Sequence, residues 1–231
     1  MAKLEYTFKN DTLFKMLFVR HPGLLKRLVA GLLGIAADSI GEFEIRNPEM
    51  PPESLGDKFC RLDINMTADG QRVNLEVQVT DRGDFPERTL FHWAREYSTA
   101  LPSGGRYSEL PRVVILNIVA FRLFGCEDFH SEYRPLEVTR HTPLTDKQAL
   151  HYFELPKLPE AISADDEPGL WLALFKADTE EELKRIELLE VGVMQQAIEA
   201  YRSITVTPEF IEAERLRSIA RHDEAQALFQ A

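Results

Sequence analysis

Cysteine is scarce in this chain: Cys60 and Cys126 are the whole supply in 231 residues. Two are too few for a disulfide framework, and such usage suits a reducing cytoplasm. Basic charge is also in deficit, with 27 Lys and Arg against 38 Asp and Glu for a net charge of −11. That balance argues against wrapping nucleic acid over a broad basic surface, although it leaves room for a small basic channel beside an acidic site. The opening MAKLEYTFKND lacks an apolar signal core, and no apolar run approaches a membrane span. Internal repeats and low-complexity stretches are missing, as are a Walker loop, a dinucleotide fingerprint and a G-x-S-x-G elbow. Neither cysteine has a histidine nearby in sequence, and the spacings of His130, His141 and His151 match no zinc pattern. What remains is a soluble, cytoplasmic chain whose 44% hydrophobic content can bury a full core.

The stretch with most to say runs over residues 59–79. FCRLDINMT and RVNLEVQV alternate in polarity on either side of ADGQ, and Asp-Gly is a strong hairpin signal. Leu62, Ile64 and Met66 share one face of the first segment, while Arg61, Asp63 and Asn65 share the other. On the second segment Val73, Leu75, Val77 and Val79 face the core, and Asn74, Glu76 and Gln78 face away. With Asp69 and Gly70 as the turn, Ala68 pairs with Gln71, Asp63 lies opposite Glu76, and Arg61 lies opposite Gln78. A one-residue slip would turn one apolar set outward, so the pattern protects the register. Opposed side chains in such a pair have Cβ atoms about 4.5–5.5 Å apart, where like charges repel. Two ionised carboxylates so placed call for a cation or a shared proton. Mg²⁺ or another hard divalent cation, held by one or two carboxylates with waters and phosphate oxygens, meets that demand. The competing expectation is a solvated polar face with both acids in water.

The other elements follow from spacing. Asn10 or Asp11 caps a helix carrying Leu13, Phe14, Leu17 and Phe18, and a second helix over 24–33 stops at Gly34. Asp11 can be a cap or a third carboxylate for the metal. A short strand falls within 39–46 and a proline-rich loop over 47–57. After the hairpin, Pro86 opens a helix to about residue 100, with Leu90, Trp93, Ala94 and Tyr97 on one stripe. Arg88 and Arg95 lie near one face of it and could reach phosphates, or be ordinary surface charges. RVVILNIVAF, over 112–121, reads as a central strand that joins the sheet in parallel through the preceding helix. Two more strands are expected over 132–141 and 149–155, then helices over 169–177, 179–201 and from Pro208 onward.

These residues also carry a resemblance. LDIN-x-x-x-DG-x-x-x-x-LEVQ has the layout of the PD-(D/E)XK nuclease superfamily, an acidic strand, a turn and an E-x-Q strand. NDTLFKMLF, Phe85-Pro86-Glu87-Arg88 leading to Tyr97, GGRYSELPRVVILNIVAF and HYFELPKL are similar to one branch of it, the recombination-promoting nuclease and transposase family. The resemblance spans roughly residues 8–158. It implies that Asp63 and Glu76 bind metal, that Gln78 stands where the superfamily usually has lysine, and that Asp11 matches the acid of the first helix. Glutamine accepts no proton at neutral pH, so Gln78 could only orient a water or help hold the metal.

The resulting expectation is an α/β fold with a restriction-endonuclease-like core: helix, three strands with a central hairpin, helix, strand. Strands are added to it, and a helical appendage over 159–231 follows the nuclease-like domain at 8–158. The expected activity is Mg²⁺-dependent cleavage of DNA, with Asp63, Glu76 and Gln78 at the reacting phosphate and Arg88 and Arg95 binding substrate. Double-strand cleavage by a single-site enzyme of this kind would call for a homodimer. The alternative is a nuclease-fold binding protein without turnover, favoured by the missing lysine and the acidic charge.

Overall fold

The computed structural model describes residues 2–46, 62–101 and 103–229. The expected loop at 47–57 and the first residues of the hairpin, with Cys60 and Arg61, lie outside the described residues. Helix α1, Asp11–Arg20, is capped by Asn10, whose side-chain oxygen accepts from the Leu13 N–H at 2.9 Å. Asp11 is thereby the first helical residue and not the cap. Helix α2, Pro22–Leu33, ends at Gly34, whose φ of 68° is the left-handed conformation a helix stop favours.

Strands β1 (Phe43–Ile45), β2 (Leu62–Ala68) and β3 (Gln71–Gln78) are followed by helix α3 (Phe85–Ser98) and strand β4 (Val113–Val119). Strands β5 (His130–Tyr133) and β6 (Gln148–Glu154) complete one six-stranded sheet in the order β1-β2-β3-β4-β6-β5. The hairpin pairs antiparallel, and β4 joins β3 in parallel after the α3 crossover, as the continuous apolar run of β4 requires. This is a mixed α/β architecture consistent with a restriction-endonuclease-like fold. Strand β5 is shorter than expected. Pro135 follows it, and a residue without an N–H cannot extend a ladder.

Helices α4 (Glu167–Lys176), α5 (Glu180–Glu187), α6 (Gly192–Thr205) and α7 (Pro208–Phe229) follow the sheet. The single helix expected over 179–201 is two helices. Glu190 adopts a φ of 55°, which no α-helix accommodates, and the chain re-enters helix after Val191. Thr179 and Glu182 form the reciprocal cap that starts α5.

One sheet face carries Ile64, Met66, Leu75, Val77, Leu116 and Phe153 against α1, α2, α4 and α6. Phe14 and Phe18 of α1 meet Phe175 and Trp171 of α4 in that layer. Each such side chain contributes roughly 1.5–3 kcal/mol by leaving water. The core therefore runs across the expected boundary at residue 158. Helix α3 covers the other face through Phe85, Trp93 and Tyr97, packed on Val113, Ile115, Val119, Leu150 and Tyr152. The Trp93 indole N–H donates to the Val113 carbonyl at 3.2 Å. The stripe that α3 buries is rotated from the expected one. Phe85 and Thr89 are covered, whereas Leu90 is 48% exposed.

Candidate active site

The site is built on the β2–β3 hairpin. Asp69 and Gly70 have φ of 47° and 73°, the paired positive values of a tight hairpin turn. The turn fixes the register: Ala68 pairs with Gln71, Asn65 with Asn74 and Asp63 with Glu76. An Asn74 side-chain amide donates to the Asn65 side-chain oxygen at 2.9 Å, which places the polar residues of both strands on one face. Ile64, Met66, Val73, Leu75 and Val77 are buried on the opposite face, as the alternation demands, whereas Val79, expected with them, lies past the end of β3 and is exposed.

The polar face is not a solvated one at Glu76, which is 5% exposed. In the parallel pairing its neighbour on β4 is Asn117, fully buried, and the next residue across is Tyr152 of β6. Helix α3 lies over this row and delivers Arg88. The Arg88 Nη2 donates to Glu76 Oε1 at 2.8 Å and to Gln78 Oε1 at 2.7 Å. The Gln78 amide nitrogen donates to the Thr80 carbonyl at 2.7 Å, so its oxygen is the end turned toward Arg88. The guanidinium also lies 4.9 Å from the centroid of the Phe85 ring, one helical turn earlier. Charge-assisted bonds in a water-poor setting are strong ones. Removing one partner of a buried pair of this kind costs about 3–5 kcal/mol, because the other charge is left behind.

Asp11 projects from the first turn of α1 and pairs with Arg217 of α7. The same arginine donates to the Thr12 hydroxyl at 3.0 Å, and Glu214 accepts from the Asn10 side-chain amide at 2.8 Å. Asp11 and Gln78 line a common cleft of about 550 Å³, walled by residues just before α1, the end of β3, Thr80 and Arg82. Arg95 shares the azimuth of Arg88 but lies two turns along α3, roughly 10 Å by helical rise. At that end Arg72, near the start of β3, donates to the Glu96 carbonyl at 2.9 Å. Arg95 is exposed there and is not brought to Glu76. Asp63 is thus paired with Glu76, Arg88 joins Glu76 to Gln78, Asp11 lines a cleft with Gln78, and Arg95 stands apart.

Two contributors escape a reading by sequence. Asn117 is the lone polar residue inside the apolar run after Arg112, a visible signal. Its amide nitrogen donates to the His151 carbonyl at 2.9 Å, and its buried oxygen has no hydrogen-bond partner among the described residues. Arg217 gave no signal, lying on the final helix far from Asp11 in sequence.

The donor set suits a hard divalent cation. Asp63 and Glu76 offer carboxylate oxygens and Gln78 an amide oxygen, the ligand types that Mg²⁺ takes along with water. The convergence of Glu76 and Gln78 oxygens on one guanidinium nitrogen shows a point where a positive charge is well held. Among the described residues no group of three or more His, Cys, Asp or Glu side chains is gathered for a metal ion. Asp63 and Glu76 are the pair on which such a site would be built.

A family model described as PD-(D/E)XK nuclease family transposase matches residues 8–231. No curated protein and no solved structure matches the chain. Among the described residues, no helix is long and apolar enough to cross a membrane.

Proposed function

The chain belongs to the PD-(D/E)XK nuclease family transposases, and from that premise we propose that it is a DNA endonuclease that works with Mg²⁺ or a similar divalent cation. One observation carries the proposal: Asp63 stands opposite Glu76 on the hairpin, with a cation already drawn onto Glu76 and Gln78. Asp63 and Glu76 would hold the metal, and Asp11 would add a carboxylate from across the cleft. The ion, when bound, would polarise the scissile phosphate and acidify a bound water. Gln78 would orient the attacking water through its amide, without taking a proton. Arg88 would offset the negative charge that builds on the phosphorus oxygens. Arg95 would contact the nucleic-acid backbone further along α3. The water oxygen forms a bond to phosphorus as the bond to the leaving sugar oxygen breaks, and one water is consumed per cut.

Residues 8–158 would supply the nuclease unit and 159–231 the helices that brace it. Concerted cutting of both strands would take two copies of the chain, since one site addresses one strand per visit. A second reading, DNA binding without turnover, is favoured by Gln78 in place of lysine and by the net charge of −11. Supercoiled plasmid incubated with the protein, with and without Mg²⁺, separates the two. Nicked or linear product that needs Mg²⁺ and vanishes in Glu76→Gln supports cleavage. Retarded but intact plasmid under every condition supports binding alone.

A further inference from the structure

We propose that the Arg88 guanidinium is an exchangeable counter-cation: it holds the Glu76 and Gln78 oxygens until a divalent cation takes them, and its release turns it toward phosphate. The proposal rests on the metal-site reading above and adds to it a rule for how the site is loaded. A single nitrogen, Nη2, makes both contacts, at 2.8 Å to Glu76 and 2.7 Å to Gln78. The two oxygens therefore lie within reach of one small cation. A divalent ion ligating them at about 2.0–2.6 Å would claim the same ground as the guanidinium nitrogen. Two positive groups cannot share it.

The present position of Arg88 is also an incomplete one. Its Nε is buried with no hydrogen-bond partner among the described residues, and a buried donor without an acceptor opposes the arrangement that traps it. The helix beneath is anchored independently of this side chain. Phe85 and Thr89 are buried, Phe85 packs with the sheet residues Val113, Ile115 and Tyr152, and Trp93 is tied to Val113. The side chain can leave while α3 stays. The Phe85 face offers the guanidinium a surface to remain against as its hydrogen bonds let go. Metal and Arg88 are then antagonists at Glu76, whereas metal and a phosphate that captures Arg88 assist one another. The assistance is reciprocal by linkage.

The test measures binding as well as turnover. Mn²⁺ affinity is determined by calorimetry for the parent, Arg88→Met, Arg88→Lys and Glu76→Gln. Arg88→Met should bind at least about tenfold tighter than the parent, Arg88→Lys should stay near the parent, and Glu76→Gln should lose binding. Equal or weaker binding by Arg88→Met, with Glu76→Gln still losing it, overturns the counter-cation role and leaves the metal site standing. Binding by neither parent nor Arg88→Met removes the metal-site reading itself. Should Arg88→Met not fold, the parent alone decides. The arginine Nε–H resonance that disappears in Arg88→Lys should shift as Mg²⁺ is added, and a resonance unmoved at metal saturation sinks the proposal.

Discussion

Glu76 and Glu154 are both carboxylates buried in the sheet and both neutralised by a cation, yet they are finished to different degrees. Glu154 Oε1 accepts from Lys157 at 2.6 Å, and Oε2 accepts the backbone N–H groups of Leu123 and Phe124 at 2.6 and 3.3 Å. Lys157 spends a further proton on the Phe124 carbonyl at 2.9 Å, and both side chains are shielded from solvent. The pair locks the chain after β4 to the end of β6. Glu76 has Asp63 opposite it, and its arginine holds two oxygens with one nitrogen while its Nε is left over. A closed pair of charges tethers a loop. An open one, with a second acid facing it, can exchange its cation. Burial and charge alone do not distinguish the two; the satisfaction of the remaining polar atoms does.

Exchanging the acids draws the contrast most sharply. Glu76→Gln should lower plasmid cleavage by at least about 100-fold while the protein keeps its circular dichroism spectrum. Glu154→Gln should instead impair folding, and a Glu154→Gln protein with the parent's melting temperature but little cleavage would break the comparison. Next in size is the cation of the closed pair. Lys157→Met should melt on the order of ten degrees below the parent, because Glu154 is left buried and uncompensated, and Mg²⁺ should not restore the loss.

A smaller effect belongs to the facing acids. Asp63→Asn should melt no lower than the parent in EDTA, since it removes a like charge across the hairpin. Mg²⁺ should raise the parent by a few degrees and leave Asp63→Asn unmoved, because only the parent gains a ligand of the native state. Equal responses in melting curves reject a metal site at Asp63.

The smallest concerns a third polar group, at the β5–β6 edge. His130 Nε2 and His151 Nδ1 are 3.1 Å apart, beside Glu132 and stacked on Phe153. Burial pushes His151 down to about 4, against the pull of the Glu132 carboxylate, while His130, Arg112 and Arg134 add to the lowering. A histidine lowered in the folded state contributes stability that is intact above its unfolded value near 6.5. That contribution is lost as pH falls toward 4, by at most about 1.4 kcal/mol per pH unit for one proton. Urea midpoints should fall over that window for the parent and fall less for His151→Phe. Parallel curves would remove this edge from the comparison.

The hairpin was legible because two independent signals agreed on it. Asp69-Gly70 set the turn and the apolar alternation set the parity, so Asp63 had to meet Glu76. The parallel placement of β4 followed from its unbroken apolar run. The sequence offers Arg88 as a phosphate-binding candidate but not as the partner of Glu76, because the rotation of α3 over the sheet depends on packing. The expected stripe through Leu90 pointed that rotation elsewhere. The break at Glu190 falls two residues before Gly192, and a lone glycine inside a helical pattern does not by itself end a helix. The pairing of Asp11 with Arg217 joins two helices through tertiary contacts alone, which no local pattern encodes.

That last pairing orders events in time. The Leu4 N–H donates to the Asp178 carbonyl at 2.9 Å, the Tyr201 hydroxyl donates to the Tyr6 carbonyl at 2.8 Å, and Arg217 holds Asp11. Synthesis at about 5–20 residues per second separates Asp11 from Arg217 by roughly ten to forty seconds. Once Glu76 has been made, about a third of the way into that interval, the hairpin acids can pair on the ribosome while the first helix lacks the arginine that holds its carboxylate. The nascent chain thus carries the two facing acids of the proposed metal site before the arginine that holds Asp11 has been made.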